Sequence, residues 1–368
     1  MSKYKFYSFI TIVFCIFSGQ VVQGIDDPWI LFDRSDHVLH GTVIQVVEGE
    51  RDRLYQITSE NEQSFGSHSS SSWWLREPEG ASTEGIGAAI GFSGAWLVAD
   101  AIGGEFPDAD ATVLPGGLLP VLHSSDTVEL VRLKTEEHPA EVALQLIQSK
   151  TPVIRRIAIG WWRTTNVEPE TEQQEAIDWA FGGETNPSVQ KSWLELYLQR
   201  GWIFENSGLA DLIPFAEDPA VSMLATAYLQ ERGTVRQRAR LVSAWPSANL
   251  EAKKRLAIAY RKLAIAEAGP WLLQGITSVE PSLKFICIES LGGTGADDIE
   301  DTFSALLHST SAKIRASALR GLAQNRTPGS WQLLNETIAS MESTDPLREM
   351  AISLKKHPWK LLKTRGRR

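Results

Sequence analysis

The chain has 368 residues, 43% of them hydrophobic and 22% charged, which excludes wholesale disorder and leaves room for two domains. A formal net charge of −9 at pH 7 argues against a general nucleic-acid binder. Of the two cysteines, Cys15 falls in a leader and only Cys287 remains beyond it, so no intramolecular disulfide, zinc ribbon or paired-cysteine redox motif is expected. In that leader, residues 1–24, Lys3 and Lys5 precede an apolar run over 6–17, and Val22 and Gly24 stand at the −3 and −1 positions of a cleavage site. This is the pattern of a secretory signal peptide cut after Gly24, with an uncleaved anchor as the alternative. It places the rest of the chain in the periplasm or outside the cell. Loss of Lys3 and Lys5 takes the net charge from −9 to −11.

Residues 25–122 read as a small β-domain. Val38, His40, Thr42, Ile44 and Val46 share one side of an extended segment. A charged turn over 48–52 leads to a second strand over 53–58. The Ser-rich run 65–72 reads as a loop, and 86–90 with 95–99 alternate as a second hairpin around Gly91 and Gly94. Together these predict a small antiparallel sheet or a partly closed barrel of about five strands. Residues 103–120, rich in Gly, Pro and Asp, read as a linker to the next domain. The segment 36–43, DHVLHGTV, resembles the first strand of β-domains found ahead of repeat arrays in exported bacterial proteins.

From 123 to 358 the text is helical and repetitive. In 311–325, SAKIRASALRGLAQN, Ile314, Ala318 and Leu322 lie four apart beside Leu319, while Lys313, Arg315 and Arg320 fall on other faces. That is the periodicity of a half-buried helix. Similar segments are anchored at Ile154, Val189, Val221, Leu283 and Leu347, most opening with a polar residue and Pro. By subtraction the steps are 35, 32, 62, 31 and 33, and the double step predicts a degenerate copy near Lys253, where Ala252, Ala257 and Tyr260 keep the spacing. Asn or Asp caps free N–H groups, and Pro at the first helical position forfeits no hydrogen bond. Four places after the anchor stands a small residue (Ala158, Ala225, Cys287, Ala318, Ala351), which admits a neighbouring helix; Trp193 is the exception. A period of about 31 to 35 residues is that of two helices and two turns. In these features the region resembles the short HEAT repeats of bacterial proteins, and the resemblance implies an α-solenoid of about seven helical repeats. The fold class expected is therefore α+β multidomain: an antiparallel sheet or barrel, then an all-α HEAT-like solenoid, then a basic tail over 359–368.

Candidate chemistry is sparse. His37 and His40 are three apart in a strand and point to opposite faces, so they do not converge on a metal. Ser93 in GFSGA lacks the spacing of a G-x-S-x-G nucleophile elbow, and reads as a Gly-Ser turn. No catalytic residue, metal or cofactor is expected. Charge is more telling. Residues 166–218 hold eleven acids against Lys191 and Arg200. Arg232, Arg236, Arg238, Arg240, Lys253, Lys254, Arg255, Arg261 and Lys262 follow, against Glu231 and Glu251. An acidic block beside a basic one would let a solenoid dock a charged partner, where complementarity sets register and on-rate. Trp73 and Trp74, after the Ser-rich loop, are a second candidate anchor or else core. The function expected is a non-enzymatic exported scaffold or adaptor that binds another protein through the concave solenoid surface. The alternative is an anionic-polymer binder using 232–262, for a glycan or lipid head group. DNA is a further target, since HEAT-like solenoids occur in DNA glycosylases, but the leader and the net charge oppose it.

Overall fold

In the computed structural model, residues 28–35, 37–48, 52–59, 72–78, 93–100, 111–119, 124–136, 138–296, 299–325 and 327–356 are described. The leader 1–24, the loop 65–71, the strand expected over 86–90 and the basic tail lie outside them. Five strands form a closed barrel in the order β1-β2-β3-β5-β4: β1 (His37–Glu48), β2 (Asp52–Ser59), β3 (Ser72–Pro78), β4 (Ser93–Asp100) and β5 (Ala111–Leu119). All pairs are antiparallel except β3 with β5, which run parallel. The hairpin expected around 48–52 is present, with Glu48 opposite Arg53. Alternation fills the interior: Tyr55 faces Leu75 and Ile57 faces Trp73 across the β2–β3 pair, and all four are buried.

Two expectations are corrected. The segment 103–120, read as a linker, contains β5. Its Pro115, Gly116 and Gly117 coincide with the register shift where Val113 pairs with Val98 and Leu118 with Trp96. Proline has no N–H to donate, so it is tolerated where the ladder is interrupted. Ser93, read as part of a turn, opens β4 opposite Thr42.

Sixteen α-helices lie among the described residues. The chain divides into two compact units, Met1–Ala180 and Phe181–Arg368. The first holds the barrel, α1 (Pro28–Arg34), α2 (Ser124–Thr135), α3 (Pro139–Leu146), α4 (Pro152–Thr164) and most of α5 (Thr171–Gly182). Here α1 packs on α4: Trp29 covers Gly160 so closely that a Cβ there would collide with its ring. Lys134 of α2 sits 4.8 Å over the Phe32 ring and donates to the Ser35 carbonyl, which ties α2 to the end of α1.

The second unit runs α6 (Pro187–Arg200), α7 (Leu212–Phe215), α8 (Pro219–Arg232), α9 (Val235–Ser243), α10 (Leu250–Leu263), α11 (Gly269–Ile276), α12 (Pro281–Gly293), α13 (Glu300–Leu307), α14 (Ala312–Gln324), α15 (Pro328–Ser340) and α16 (Arg348–Lys356). The helices α6, α8, α10, α12, α14 and α16 stack successively on one another. The intervening helices pack beside them: α7 on α8 and α10, α11 on α12, α13 on α14, and α15 on α14 and α16. This is a stacked, solenoid-type arrangement.

The repeat pattern has its physical cause in this stack. The anchors Ile154, Val189 and Val221 are wholly buried, as are Ala158, Ala225, Cys287, Ala318 and Ala351 in the small-residue slot. Asn186, Asp218 and Asn249 each accept from a backbone N–H of the turn they cap, whereas Thr151, Glu280 and Ser311 make no such bond. The degenerate copy is real: Leu250–Leu263 is a helix with Ala252, Ala257 and Tyr260 buried. Trp193 fills the slot it occupies by stacking on Phe181, 5.9 Å between centroids. No helix among the described residues is long and apolar enough to cross a membrane.

Two glycine-related positions set the tightest tolerances. A Cβ on Gly292 of α12 would run into the Gly321 carbonyl of α14, so these helices meet backbone to backbone. At the end of α10, Ala264 adopts φ 51°, ψ 54°, while the Ile265 N–H donates to the Tyr260 carbonyl at 3.0 Å. That left-handed cap usually carries glycine. Gly292→Ala is expected to destabilise the second unit by about 2–3 kcal/mol through overpacking. Ala264→Gly is expected to stabilise it by about 1 kcal/mol by relieving the left-handed strain. Urea unfolding of the two variants against the parent measures both signs.

Candidate functional site

The stack gives α8, α10, α12 and α14 a common register, because their anchors at Val221, Ala252, Leu283 and Ile314 are 31 residues apart. Positions two, six and ten after the anchor lie on the helix face opposite the core. They are Met223, Ala227 and Glu231 on α8; Lys254, Ile258 and Lys262 on α10; Phe285, Glu289 and Gly293 on α12; and Ala316, Arg320 and Gln324 on α14. None of the twelve is buried, and Met223 is 55% exposed. Equivalent positions touch from helix to helix: Arg320 Nη1 donates to Glu289 Oε1 at 2.9 Å. Arg261 approaches the other oxygen of Glu289 at 3.7 Å, and its side chain lies across Gly293. The result is a face of mixed apolar and charged positions, joined from α10 to α14 through Glu289.

The basic residues of 232–262 do not form one patch. Leu241 of α9 accepts from the Tyr260 hydroxyl of α10 at 3.0 Å, and both residues are buried, so the two helices meet here through core residues. On α9, Arg236 and Arg240 are exposed. Arg240 is held by Asp211 through two bonds of 3.1 and 2.8 Å, and the Nε of half-buried Arg238 is enclosed without an acceptor. Arg232, at the end of α8, places its guanidinium beside Gly201. On α10, Lys253 sits 5.8 Å over Trp245, Lys254 pairs with Glu251 at 2.6 Å, and Arg255 donates to the Ala216 carbonyl that ends α7. Arg261 and Lys262 close α10 on the register face described above.

Electrostatics single out that end of α10. Burial lowers the pKa of Arg261, although Glu289 opposes the shift. Burial also lowers that of Lys262, with the neighbouring Arg261 charge as the second cause. Nearby, the thiol of Cys287 is fully buried and pushed up to about 12 by that burial, which leaves it a core group without nucleophilic character at neutral pH. Trp73 is buried in the barrel, and Trp74 is half-buried on the opposite side of β3.

Two surface features escaped the sequence reading. Glu289 was unremarkable there, yet it collects two arginines from adjacent helices. Trp179 is 74% exposed on α5, with exposed Glu172 and Glu175 seven and four residues before it on the same face. The i, i+3, i+7 spacing carried that signal. Among the described residues, no group of three or more His, Cys, Asp or Glu side chains converges as a metal site would require. No protein-family model matches the chain, and no curated protein matches it.

The charge at the end of α10 is directly testable. In Arg261→Gln the pKa of Lys262 is expected to rise, because a neighbouring cation is removed. It should stay below the ordinary lysine value, because burial is the larger cause. Carbon-detected NMR titration of the Lys262 Cε measures the shift; an unchanged or lower value contradicts the assignment.

Proposed function

We propose that the chain is an exported, non-enzymatic scaffold or adaptor that binds another protein through the exposed face of its HEAT-like helical stack. The supporting observation is the register face itself. Helices repeated at 31 residues align Met223, Ala227, Ile258 and Phe285 as an apolar stripe among Lys254, Arg261, Glu289 and Arg320. Such mixed surfaces, with apolar anchors and charges that fix register, are what protein partners recognise. The stack offers area rather than an enclosed polar pocket. The anionic-polymer reading loses support from the separate local partners of Arg240, Lys253, Lys254 and Arg255, since a polyanion binds best to a continuous cationic track.

Two experiments test this. Full-length protein recovered from the exported fraction should carry a stoichiometric protein partner, and Met223→Glu, at a position already half in solvent, should release it without altering the unfolding midpoint. If no protein is retained, and heparin instead binds with an affinity that collapses at moderate salt, the scaffold reading falls and the anionic-polymer reading replaces it. Export is checked separately by N-terminal sequencing of the mature chain, expected to begin at Ile25. A chain beginning at Met1 would leave the leader in place as an anchor.

A further inference from the structure

The ends of α10, α12 and α14 gather more positive charge than they neutralise. Glu289 is the carboxylate shared by Arg320 at 2.9 Å and Arg261 at 3.7 Å, and it is also within 3.4 Å of the Ser317 hydroxyl. Lys262 is the next residue along α10, and among the described residues no carboxylate pairs with it. Arg261 and Arg320 therefore share one anion, with one positive charge left over. The geometry of the pairing leaves donors to spare: a guanidinium offers five N–H groups in a planar fork, and neither arginine is engaged by Glu289 through both prongs. Gly293 keeps the middle of the cluster low, with the Arg261 stem on one side and the Gln324 amide oxygen on the other. One helical turn earlier, Ile258 on α10 and Phe285 on α12 are half-buried apolar residues. The position matching Lys262 on α8 is the exposed Glu231, so the local surplus is carried by Arg261 and Arg320.

We infer that this cluster receives a carboxylate side chain from an acidic protein segment, with Ile258 and Phe285 taking an apolar side chain of the same segment. The inference rests on the protein-binding reading above and names the chemistry of the partner. Charge complementarity decides the occupant. Helix C-termini tolerate extra cations through the macrodipole, which accounts for Arg261 and Lys262 being housed there. The macrodipole does not supply the missing counter-charge, and a carboxylate does so with fork geometry. A polyanion such as a glycan or nucleic acid would need cations repeated along the row, and Glu231 and Glu289 interrupt any such track.

The probe is a labelled synthetic peptide of residues 166–180, NVEPETEQQEAIDWA, which holds five acids, no base, and both Ile177 and Trp179. Fluorescence anisotropy with the full-length protein at low salt is expected to show binding, and the peptide with its acids replaced by their amides is expected not to bind. Arg261→Gln with Arg320→Gln should weaken binding by about fivefold or more. Glu289→Gln should tighten it by about two- to threefold, since the cluster loses its internal competitor. A merely structural role for Glu289 predicts the reverse. Lys313→Gln, at the other end of α14, should change nothing. No binding by the parent, weaker binding by Glu289→Gln, or equal binding of a heparin oligosaccharide with the same dependence on Arg261 and Arg320 would each overturn the inference. The two readings separate cleanly. A co-purified partner that survives the double arginine variant and is lost with Met223→Glu leaves the scaffold in place and removes the carboxylate site.

Discussion

The contact between Gly292 and Gly321 is the constraint from which the surface of the second unit follows. Two helices that meet backbone to backbone can sit in few relative positions, because ridges and grooves must interlock without a side chain to adjust the fit. With α12 and α14 fixed in this way, residues one repeat apart become neighbours, and Glu289 lands beside Arg320. The same spacing carried back to α10 brings Arg261 over Gly293. The charged cluster is thus a consequence of close packing.

The rung at α10 shows how differently a charge run reads in sequence and in space. Its anchor is Ala252 in place of a branched residue, and no proline opens it; Asn249 caps it instead. The basic residues that crowd this stretch have separate partners: a tryptophan ring for Lys253, a carbonyl at the end of α7 for Arg255, and Asp211 for Arg240 on the facing helix. Only Arg261 and Lys262 share a site. Removing one of the dispersed cations would loosen a local contact, whereas removing Arg261 changes the net charge around Glu289.

The helical half was legible because its signal is redundant. A fixed period, capped starts and a small residue one turn after the anchor all have the same cause, a helix buried on two sides, and even the degenerate copy was placed by spacing alone. The barrel was legible where alternation was clean, in β1 and β2. It was hidden in β5, where Pro115 and two glycines carry the composition of a loop while sitting in a register shift. It was hidden in β3 as well, since Trp73 and Trp74 adjoin a serine run and alternate for too few residues to show a period. The cluster at Glu289 was less visible still, although its clue was present: Glu289 and Arg320 are separated by one repeat, and in a stack that separation means contact.

The spacing of the stack also constrains what can lie across it. Packed helices are about 8–10 Å apart, and the backbone contact between α12 and α14 puts that pair toward the low end. An extended polyproline-type segment rises about 3.1 Å per residue and returns to the same face every third residue, or roughly every 9 Å. A chain crossing the row would therefore present one side chain per helix from a single face of the segment. Along the middle register it would meet Ala227, Ile258, Glu289 and Arg320 in turn: two apolar positions, then an acid already occupied, then a cation with donors to spare. A helical ligand, rising 1.5 Å per residue, covers the same step in about six residues, which turn it about 240°, so successive contacts would fall on different faces. The acidic segment inferred above is therefore expected to cross the row as an extended chain and not as a docked helix, and that expectation comes from the same tight packing that places the cluster.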